Sequence, residues 1–589
     1  MDQYLDHIVD HTLENLFGKL DSDKLTSIKE KLSYISLRRG ETLFHQNDEA
    51  DGIYILLSGK LEVIAAQRDG SVQRVGFVNR AETVGEMALL SDDLRSATVV
   101  AFRNSTLAKM SNDTFIELCY SNAEFALRVS RFIVSRLKQS IHTKRAKIKI
   151  SNISFHDSGL SPTTSEVIDQ ILDRFRPMAN VVILDKALSD QVLDLKDSGK
   201  QPGPDELLKL DHYINELELQ EKKLCFDLRN MDNYLVNHII DFSDLAIEFF
   251  DFSAVKTKNW KPDSFIQSIE NIQSKINYVF CHENKNGLFP EGTNLVLEKL
   301  KNGPHTHIKH GDAKGINRIV RYITGNSVGL VLGGGGAKGI AHLGVLKALE
   351  EFHIPIDYIA GTSMGAIYAS LYAKHQDFKT VFSLSTDTFL TSPTGPADLN
   401  IFPRYSIYKD KKINKKLHEL YGEMHLEDLW LPFYCISSNL TKPEMVIHES
   451  GKLSSVIRTS MAVPGLFKPI MINKNVHVDG GVFNNIPIDV MLQKNIGHII
   501  ASRVDKEDVS QVEKLPNFLN TLIKSTIANS DHHSNKLIPF VDLYFQPEVS
   551  KFGLLNWKAH DQIFDEGYKH ALETLRKNEE MVASLRKIS

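Results

Sequence analysis

Cysteine is scarce in this chain. The four cysteines among 589 residues, Cys119, Cys225, Cys281 and Cys435, lie 106, 56 and 154 positions apart. That spacing excludes a disulfide-dense secreted scaffold and a zinc knuckle, and suits a reducing compartment. Long hydrophobic runs are missing too: the longest uncharged, largely apolar stretch is Tyr358 to Ala373, 16 residues, where a spanning helix needs about 20. Any membrane contact is therefore expected to be peripheral. The opening residues, MDQYLDHIVDHTLENLFGKL, carry acidic charge through any would-be signal core, so no export is expected and the location is read as cytoplasmic. A large charge of one sign is also lacking. The net charge is −5, too mild to make nucleic acid the partner of the whole molecule. Hydrophobic residues at 42% and charged ones at 24% are globular values that exclude disorder and a fibrous repeat. At about 150 residues per domain, the length predicts three or four folding units.

From about Leu32 to Ser111, β-branched alternating runs such as YILLSGKLEVIAA and TVVAFRNSTLAKM are punctuated by Gly40, Gly52, Gly59, Gly70, Gly76 and Gly85. That pattern predicts an all-β barrel or roll. Helix follows, with Val129, Phe132, Ile133, Leu137 and Ile141 at helical spacing. Arg128 to Lys149 holds eight Lys/Arg and no Asp/Glu, the composition of a helix lying on an anionic surface or of a solvated helix closing the roll. Residues 151–326 read as a small α/β or helical connector. In it GPHTHIKHGD brings His305, His307 and His310 together. No fourth ligand of suitable spacing accompanies these imidazoles, so a solvated linker is preferred to a metal site.

Composition shifts at Ser327, with seven glycines between Gly329 and Gly344. SVGLVLGGGGAKGIAHLGVLKALEEF reads as a buried strand, a glycine turn and an amphipathic helix. The backbone N–H groups of Gly334, Gly335 and Gly336 are thereby offered to an anion, either a phosphate or a reaction's oxyanion. Gly334, Gly336 and Gly339 satisfy G-x-G-x-x-G, a weak match alone. A Walker A loop fails, because Gly339 stands where Ser or Thr is needed. The next strand decides against nucleotide: DYIAGTSMGAIYASLYAK sets Gly361, Ser363 and Gly365 at a strand-to-helix turn, a nucleophile elbow. A base is then required. Asp479, after NVHV and before Gly480 and Gly481, stands where the glycines let a carboxylate approach closely. The chain order Ser363, Asp479, then His560 or His570 also permits an α/β-hydrolase triad.

These strings resemble the patatin-like phospholipase family: GGGGAKG its oxyanion loop, GTSMG its nucleophile, DGG the aspartate of its Ser–Asp dyad. RIVRYITGNSVGLVLGGGGAKG and VDGGVFNNIP look most like its neuropathy target esterase branch, lysophospholipases that carry cyclic-nucleotide-type domains upstream. The resemblance covers about Ile316 to Leu575. It implies that Ser363 attacks an ester carbonyl, Asp479 takes its proton and Gly334 to Gly336 hold the oxyanion. Lys338 stands where family members have Arg or Lys. No metal or cofactor is called for, since the glycine loop supplies the charge stabilisation.

Upstream, ETVGEMALLSDDLRSATVVA resembles the phosphate-binding cassette of cyclic-nucleotide-binding domains, over about Leu25 to Arg145. The resemblance implies a helix start at Gly85, Glu86 on a ribose 2′-hydroxyl, and Arg95 with Ser96 and Ala97 on the cyclic phosphate of cAMP or cGMP as effector. Leu94 occupies a position often held by proline. The expected architecture is multidomain: a β-roll with flanking helices over 1–150, a connector over 151–326, and an α/β patatin-like hydrolase with a mainly parallel sheet over 327–589. The expected function is a serine acyl hydrolase of phospholipid or lysophospholipid esters, acting at a peripheral membrane surface. The alternative is an inactive nucleotide-sensing binding protein.

Overall fold

The computed structural model describes the chain except for residues 1–8, 11, 15–17, 19–21, 67–71, 92, 122, 124, 132–149, 158, 194–201, 263–275, 284–288, 390–397, 506–520, 522–529, 531 and 588–589. It divides into two compact units. Unit one comprises 1–160, 172–248 and 263–277; unit two comprises 161–171, 249–262 and 278–589. Residues 151–326 are thus shared between them.

In unit one, strands β1 (Leu32–Leu37), β2 (Thr42–Phe44), β3 (Ile53–Ala66), β4 (Val72–Val78), β5 (Thr83–Val84) and β6 (Thr98–Met110) form the roll. The order is β1-β6-β3-β4, with β2 on β6 and β5 on β3, every ladder antiparallel. Period-two alternation explains why it closes around two cores. Ile53, Ile55 and Leu57 of β3 meet Phe115 and Phe125 of the following helical segment, while Tyr54 and Leu56 face Val84, Val99 and Leu107. The expected basic helix Arg128–Lys149 lies outside the described residues from position 132 onward.

The rest of unit one is α/β. Strands β7 (Asn152–Asp157) and β8 (Val181–Leu184) both run parallel to β9 (Lys223–Asp227). Two buried ion pairs tie this part to the roll, Lys60 Nζ to Asp244 Oδ2 at 3.2 Å and Arg103 Nη1 to Glu218 Oε1 at 2.7 Å. Strands β10 (Leu245–Asp251) and β11 (Ile276–His282) begin in unit one and end in unit two, where β11 pairs in parallel with β12 (His305–Lys309).

The solvated linker expected at GPHTHIKHGD is corrected here, since β12 carries it into a core. His307 is buried, its Nδ1 2.8 Å from His282 Nε2, and the Nε2 atoms of both His305 and His307 donate to the Glu427 carbonyl. Burial, with the neighbouring imidazoles, pushes His307 far below its ordinary pKa. Among the described residues no group of three His, Cys, Asp or Glu is arranged to hold a metal ion.

Unit two is built on β13 (Val328–Leu332), β14 (Tyr358–Thr362), β15 (Phe433–Asn439), β16 (Glu444–His448), β17 (Ile470–Ile472), β18 (Asn475–Asp479), β19 (His498–Ser502) and β20 (Leu543–Phe545). The order is β17-β18-β15-β14-β13-β19-β20 with β16 on β15. The middle ladders from β15 to β20 are parallel; β18 and β16 join β15 antiparallel. The continuous apolar run of β13, buried throughout, is what a central parallel strand requires. Below it, the helix Ala313–Thr324 sends Arg321 to grip Asp357 with two hydrogen bonds (2.9 and 2.6 Å), and Asp357 Oδ2 also accepts from Val328 N–H. This buried pair fixes where β13 and β14 start, and so where they end. Ligands of such sheets bind outside those carboxyl ends.

Candidate active site

Both central strands finish in glycine turns under one apolar cleft. At the end of β14, Ser363 has φ 55° and ψ −121° and opens the helix Met364–His375. A non-glycine residue with positive φ is strained, and the neighbouring glycines make room for it. A Cβ on Gly361 would lie 2.7 Å from Ala366 backbone, and one on Gly365 2.2 Å from the Leu332 carbonyl oxygen. Ser460 Oγ accepts the Ser363 N–H at 2.9 Å, a contact unannounced by any motif.

Asp479 ends β18, where its N–H donates to the Ala462 carbonyl at 2.9 Å. Oδ1 accepts from Gly481 N–H at 2.8 Å and caps the short turn Gly480–Val482, while Oδ2 is buried with no donor in hydrogen-bond geometry among the described residues. Burial pushes the carboxyl up to about 6, against the Ser363 hydroxyl and the Gly481 amide, which favour its charged form. Ser363 and Asp479 line the same cleft. His560, beside Asp561, and His570, which accepts the Gln546 N–H, do not line it.

The glycine loop above β13 divides its labour. Gly333 and Gly334 spend their N–H groups on the Ser502 and Asn485 carbonyls (3.0 and 3.2 Å), whereas those of Gly335 and Gly336 have no acceptor among the described residues. The loop admits no side chains. A Cβ on Gly334 would sit 2.4 Å from Asn485 Oδ1 and 3.2 Å from Ser363 Cβ, and Gly336 combines φ +54° with the Leu554 carbonyl oxygen 2.4 Å from a Cβ position. Asn485 is the clamp that the sequence motifs did not single out. Its Nδ2 donates to Gly334 O at 3.1 Å and to Asp505 Oδ2 at 2.7 Å, and Asp505 in turn accepts from Arg503 Nε at 2.8 Å. Behind the loop, His342 donates from Nε2 to Gly333 O and accepts at Nδ1 from Ser502 Oγ, and burial pushes it down to about 4, so it stays neutral.

Met461, Val463, Leu466 and Phe467 form one wall of the cleft; Leu554, Leu555 and Trp557 form another. The second wall is held by Ala337 N–H donating to Leu554 O at 2.8 Å. It is also held by the helix His560–Lys577, where Gly567 fits so tightly against Ala341 that a Cβ would meet its carbonyl oxygen at 2.2 Å. An apolar trough lined by a strained hydroxyl and a carboxylate, with two amides that have no acceptor among the described residues, has the groups that ester hydrolysis requires.

In unit one the cassette residues assemble differently. The helix Glu86–Ser91 follows Gly85, and Glu86 is buried. Arg95 is buried and engaged: Nη1 donates to Gly85 O (2.9 Å), Nη2 to Gly52 O (2.8 Å) and Asp51 Oδ1 (2.7 Å), and the guanidinium lies 4.3 Å from the Phe44 ring centre. Partial burial would raise Asp51, but Lys109, Tyr54 and Arg95 outweigh it and hold the carboxyl down at about 2. Ser96 is exposed beside it and Ala97 buried. Asp51 is the partner that the sequence did not reveal.

Among the described residues no helix is long and apolar enough to cross a membrane. Residues 330–492 match the family model of patatin-like phospholipase, and residues 34–122 that of the cyclic nucleotide-binding domain. Among curated proteins, Lysophospholipase NTE1 of Pyricularia oryzae is 25% identical over 96% of this chain and 43% of its own length. Neuropathy target esterase sws of Drosophila melanogaster is 25% identical over 94% and 42%. The chain thus spans less than half the length of these relatives. Among solved structures, a cyclic nucleotide-binding domain from Methylobacillus flagellatus aligns at TM-score 0.22 with 20% identity, over 24% of this chain and 83% of that one. The strained serine elbow, the glycine loop and all of the antiparallel roll but the first two residues of β1 fall inside the two matched segments, so the chain carries a patatin-like phospholipase domain behind a cyclic nucleotide-binding domain.

Proposed function

We propose that unit two hydrolyses carboxylic esters of phospholipids or lysophospholipids through a Ser363–Asp479 dyad. Ser363 Oγ attacks the ester carbonyl while Asp479 takes the hydroxyl proton, and the carbonyl oxygen, now an anion, is received by Gly335 and Gly336 N–H. Collapse expels the alcohol, which recovers the proton from Asp479 and leaves an acyl-Ser363. Water then attacks that ester with Asp479 again as base, releasing the fatty acid and restoring the serine. Asp479 is an adequate base because burial lifts it to about 6, closer to neutral pH than an ordinary aspartate. Gly334 contributes room beside Ser363 rather than a donor.

The observation that carries this reading is the convergence, in one apolar cleft, of a strained serine, a buried carboxylate and two unspent amides. The relatives named as lysophospholipases support the substrate class. The test is mass analysis of fatty acid released from phosphatidylcholine and lysophosphatidylcholine by wild type and Ser363→Ala, with fluorophosphonate labelling of Ser363. Release that persists in Ser363→Ala sinks the proposal.

The same proposal extends to control by a cyclic nucleotide at Glu86 and Arg95, supported by the matched binding domain. A cyclic phosphate would take Arg95 from Asp51, so binding is a competition between two anions.

A further inference from the structure

Ahead of the first cleft wall in the chain, unit two carries a hairpin with no part in the chemistry. Its stem is Leu399 bridged to Tyr408, Asn400 N–H donating to Ile407 O (2.8 Å) and Lys409 N–H to Asp398 O (2.7 Å), with Asn400 Nδ2 donating to Ser406 O (2.9 Å). Its tip is Ile401-Phe402-Pro403-Arg404-Tyr405, wholly outside the core, with Ile401 87%, Phe402 88% and Tyr405 61% exposed. Two neighbouring large apolar side chains held almost fully in water by a braced stem are a standing cost, and a tip of this kind marks an interaction surface.

The stem is bonded directly to the cleft. Ile407 N–H donates to Gly465 O (2.9 Å) and Tyr408 N–H to Leu466 O (3.0 Å), and the Tyr408 ring lies 6.0 Å from that of Phe467. Leu466 and Phe467 line the site of Ser363. Arg458 locks the base, with Nη2 donating to Asp410 Oδ1 (2.5 Å) and Lys468 O (3.1 Å). The surroundings are cationic: residues 398–416 hold six Lys/Arg against two Asp, and Arg404 and Lys468 flank the Tyr405 ring at 5.3 and 5.9 Å.

We propose that the tip Ile401–Tyr405 is the surface by which the catalytic unit docks on an anionic phospholipid bilayer, bringing the mouth of the Ser363 cleft to the headgroup layer. Ile401 and Phe402 enter the acyl boundary, Tyr405 sits at headgroup level where amphipathic rings are favoured, and the flanking cations meet anionic lipid. Charge complementarity selects the bilayer over a second copy of the chain, whose facing tip would carry the same positive charge. The inference rests on the lipid-ester reading of the cleft, and its test separates the two.

The full chain is sedimented with phosphatidylcholine vesicles with and without phosphatidylserine, and its turnover is measured on vesicle-borne phospholipid and on a monomeric short-chain ester. Ile401→Ser/Phe402→Ser is expected to lose at least about tenfold in vesicle affinity and vesicle turnover while keeping monomeric turnover within about twofold, because only apolar area at the tip is removed. Phe402→Trp should shift its emission to the blue on vesicles relative to wild type, and salt should weaken the phosphatidylserine-dependent part. Unchanged vesicle affinity in the double variant, emission indifferent to vesicles, or loss of a dimer in place of vesicle binding overturns the docking surface. If wild type cleaves neither ester, the hydrolase reading falls, while sedimentation of Ser363→Ala with and without the tip changes still decides the surface.

Discussion

The elbow of unit two and the cassette of unit one both set a glycine turn against a helix, yet they treat their polar groups in opposite ways. Around Ser363 the polar groups are left unspent: among the described residues two amides have no acceptor and Asp479 Oδ2 has no donor in hydrogen-bond geometry. Around Arg95 the two terminal nitrogens of the guanidinium are taken up by two carbonyls and Asp51, and its Nε has no partner among the described residues. Unpaired buried polar groups cost stability, so on the proposed reading the first arrangement is that of a site kept ready for charge that appears only during reaction, whereas in the second both Arg95 Nη atoms are already engaged by the protein itself. Changes at the elbow should therefore cut activity without cutting stability, and changes at Arg95 should do the reverse.

The largest expected effect tests the first half. Ser363→Ala and Asp479→Asn should each lower kcat by about 10³-fold or more, since members of a catalytic unit are lost together. Stability should move the other way in Asp479→Asn. The folded carboxyl at about 6 lies above its ordinary 3.8. Its contribution to stability is thus fully present below about pH 4 and lost as pH rises through about 6, costing roughly 2–3 kcal/mol at pH 7. The amide cannot ionise, so the variant should melt at or above the wild-type temperature at pH 7. A fall of several degrees would mean that Asp479 is chiefly a structural cap of its turn.

Next in size is the glycine loop. Gly336→Ala puts a Cβ on a residue at φ +54° and into the Leu554 carbonyl, displacing one of the two open amides. The expected loss is about 10²–10³ in kcat with KM little changed, the signature of a donor used in the transition state. Equal losses in kcat and in substrate binding would show instead that the cleft wall at Leu554 had moved.

The pH profile is a gentler probe of the same comparison. Asp479 must be ionised to accept the serine proton, so kcat/KM should fall by about tenfold per pH unit below an apparent pKa near 6 and level off above it. That limb should vanish from the residual activity of Asp479→Asn. A limb that survives there belongs to another group.

The elbow and the roll were legible in the sequence because their constraints are local: a strained turn demands Gly361 and Gly365, and a period of two demands the alternation of Ile53 to Leu57. What escaped depends on contacts between distant positions. Asn485 clamps Gly334 from 151 residues away, Ser460 holds Ser363 from 97, and Asp51 meets Arg95 from 44. The spent N–H of Gly334 was hidden for the same reason, its acceptor being Asn485 O. GPHTHIKHGD misled because polar imidazoles read as solvent-facing, whereas His307 is buried by pairing with His282 and with the Glu427 carbonyl.

The smallest effect concerns Asp51. If Arg95 is held by an internal anion, Asp51→Asn removes the charge that a cyclic phosphate must displace while leaving the two carbonyl contacts in place. The Asp51 side chain is half exposed, so the ion pair is screened and worth no more than about 1 kcal/mol, or roughly fivefold in affinity. Calorimetry with cAMP and cGMP should therefore show binding tightened by a few-fold in Asp51→Asn and lost in Arg95→Ala. Because Asp51 is held at about 2, it stays ionised down to about pH 3, and the difference between wild type and Asp51→Asn should not change between pH 6 and 8. Arg95→Ala should also lower the melting temperature of unit one, since it orphans Gly52 O and Gly85 O. Equal nucleotide affinity in wild type and Asp51→Asn would show that the cyclic phosphate reaches Arg95 without displacing Asp51, and the contrast with the elbow would then rest on the carbonyls alone.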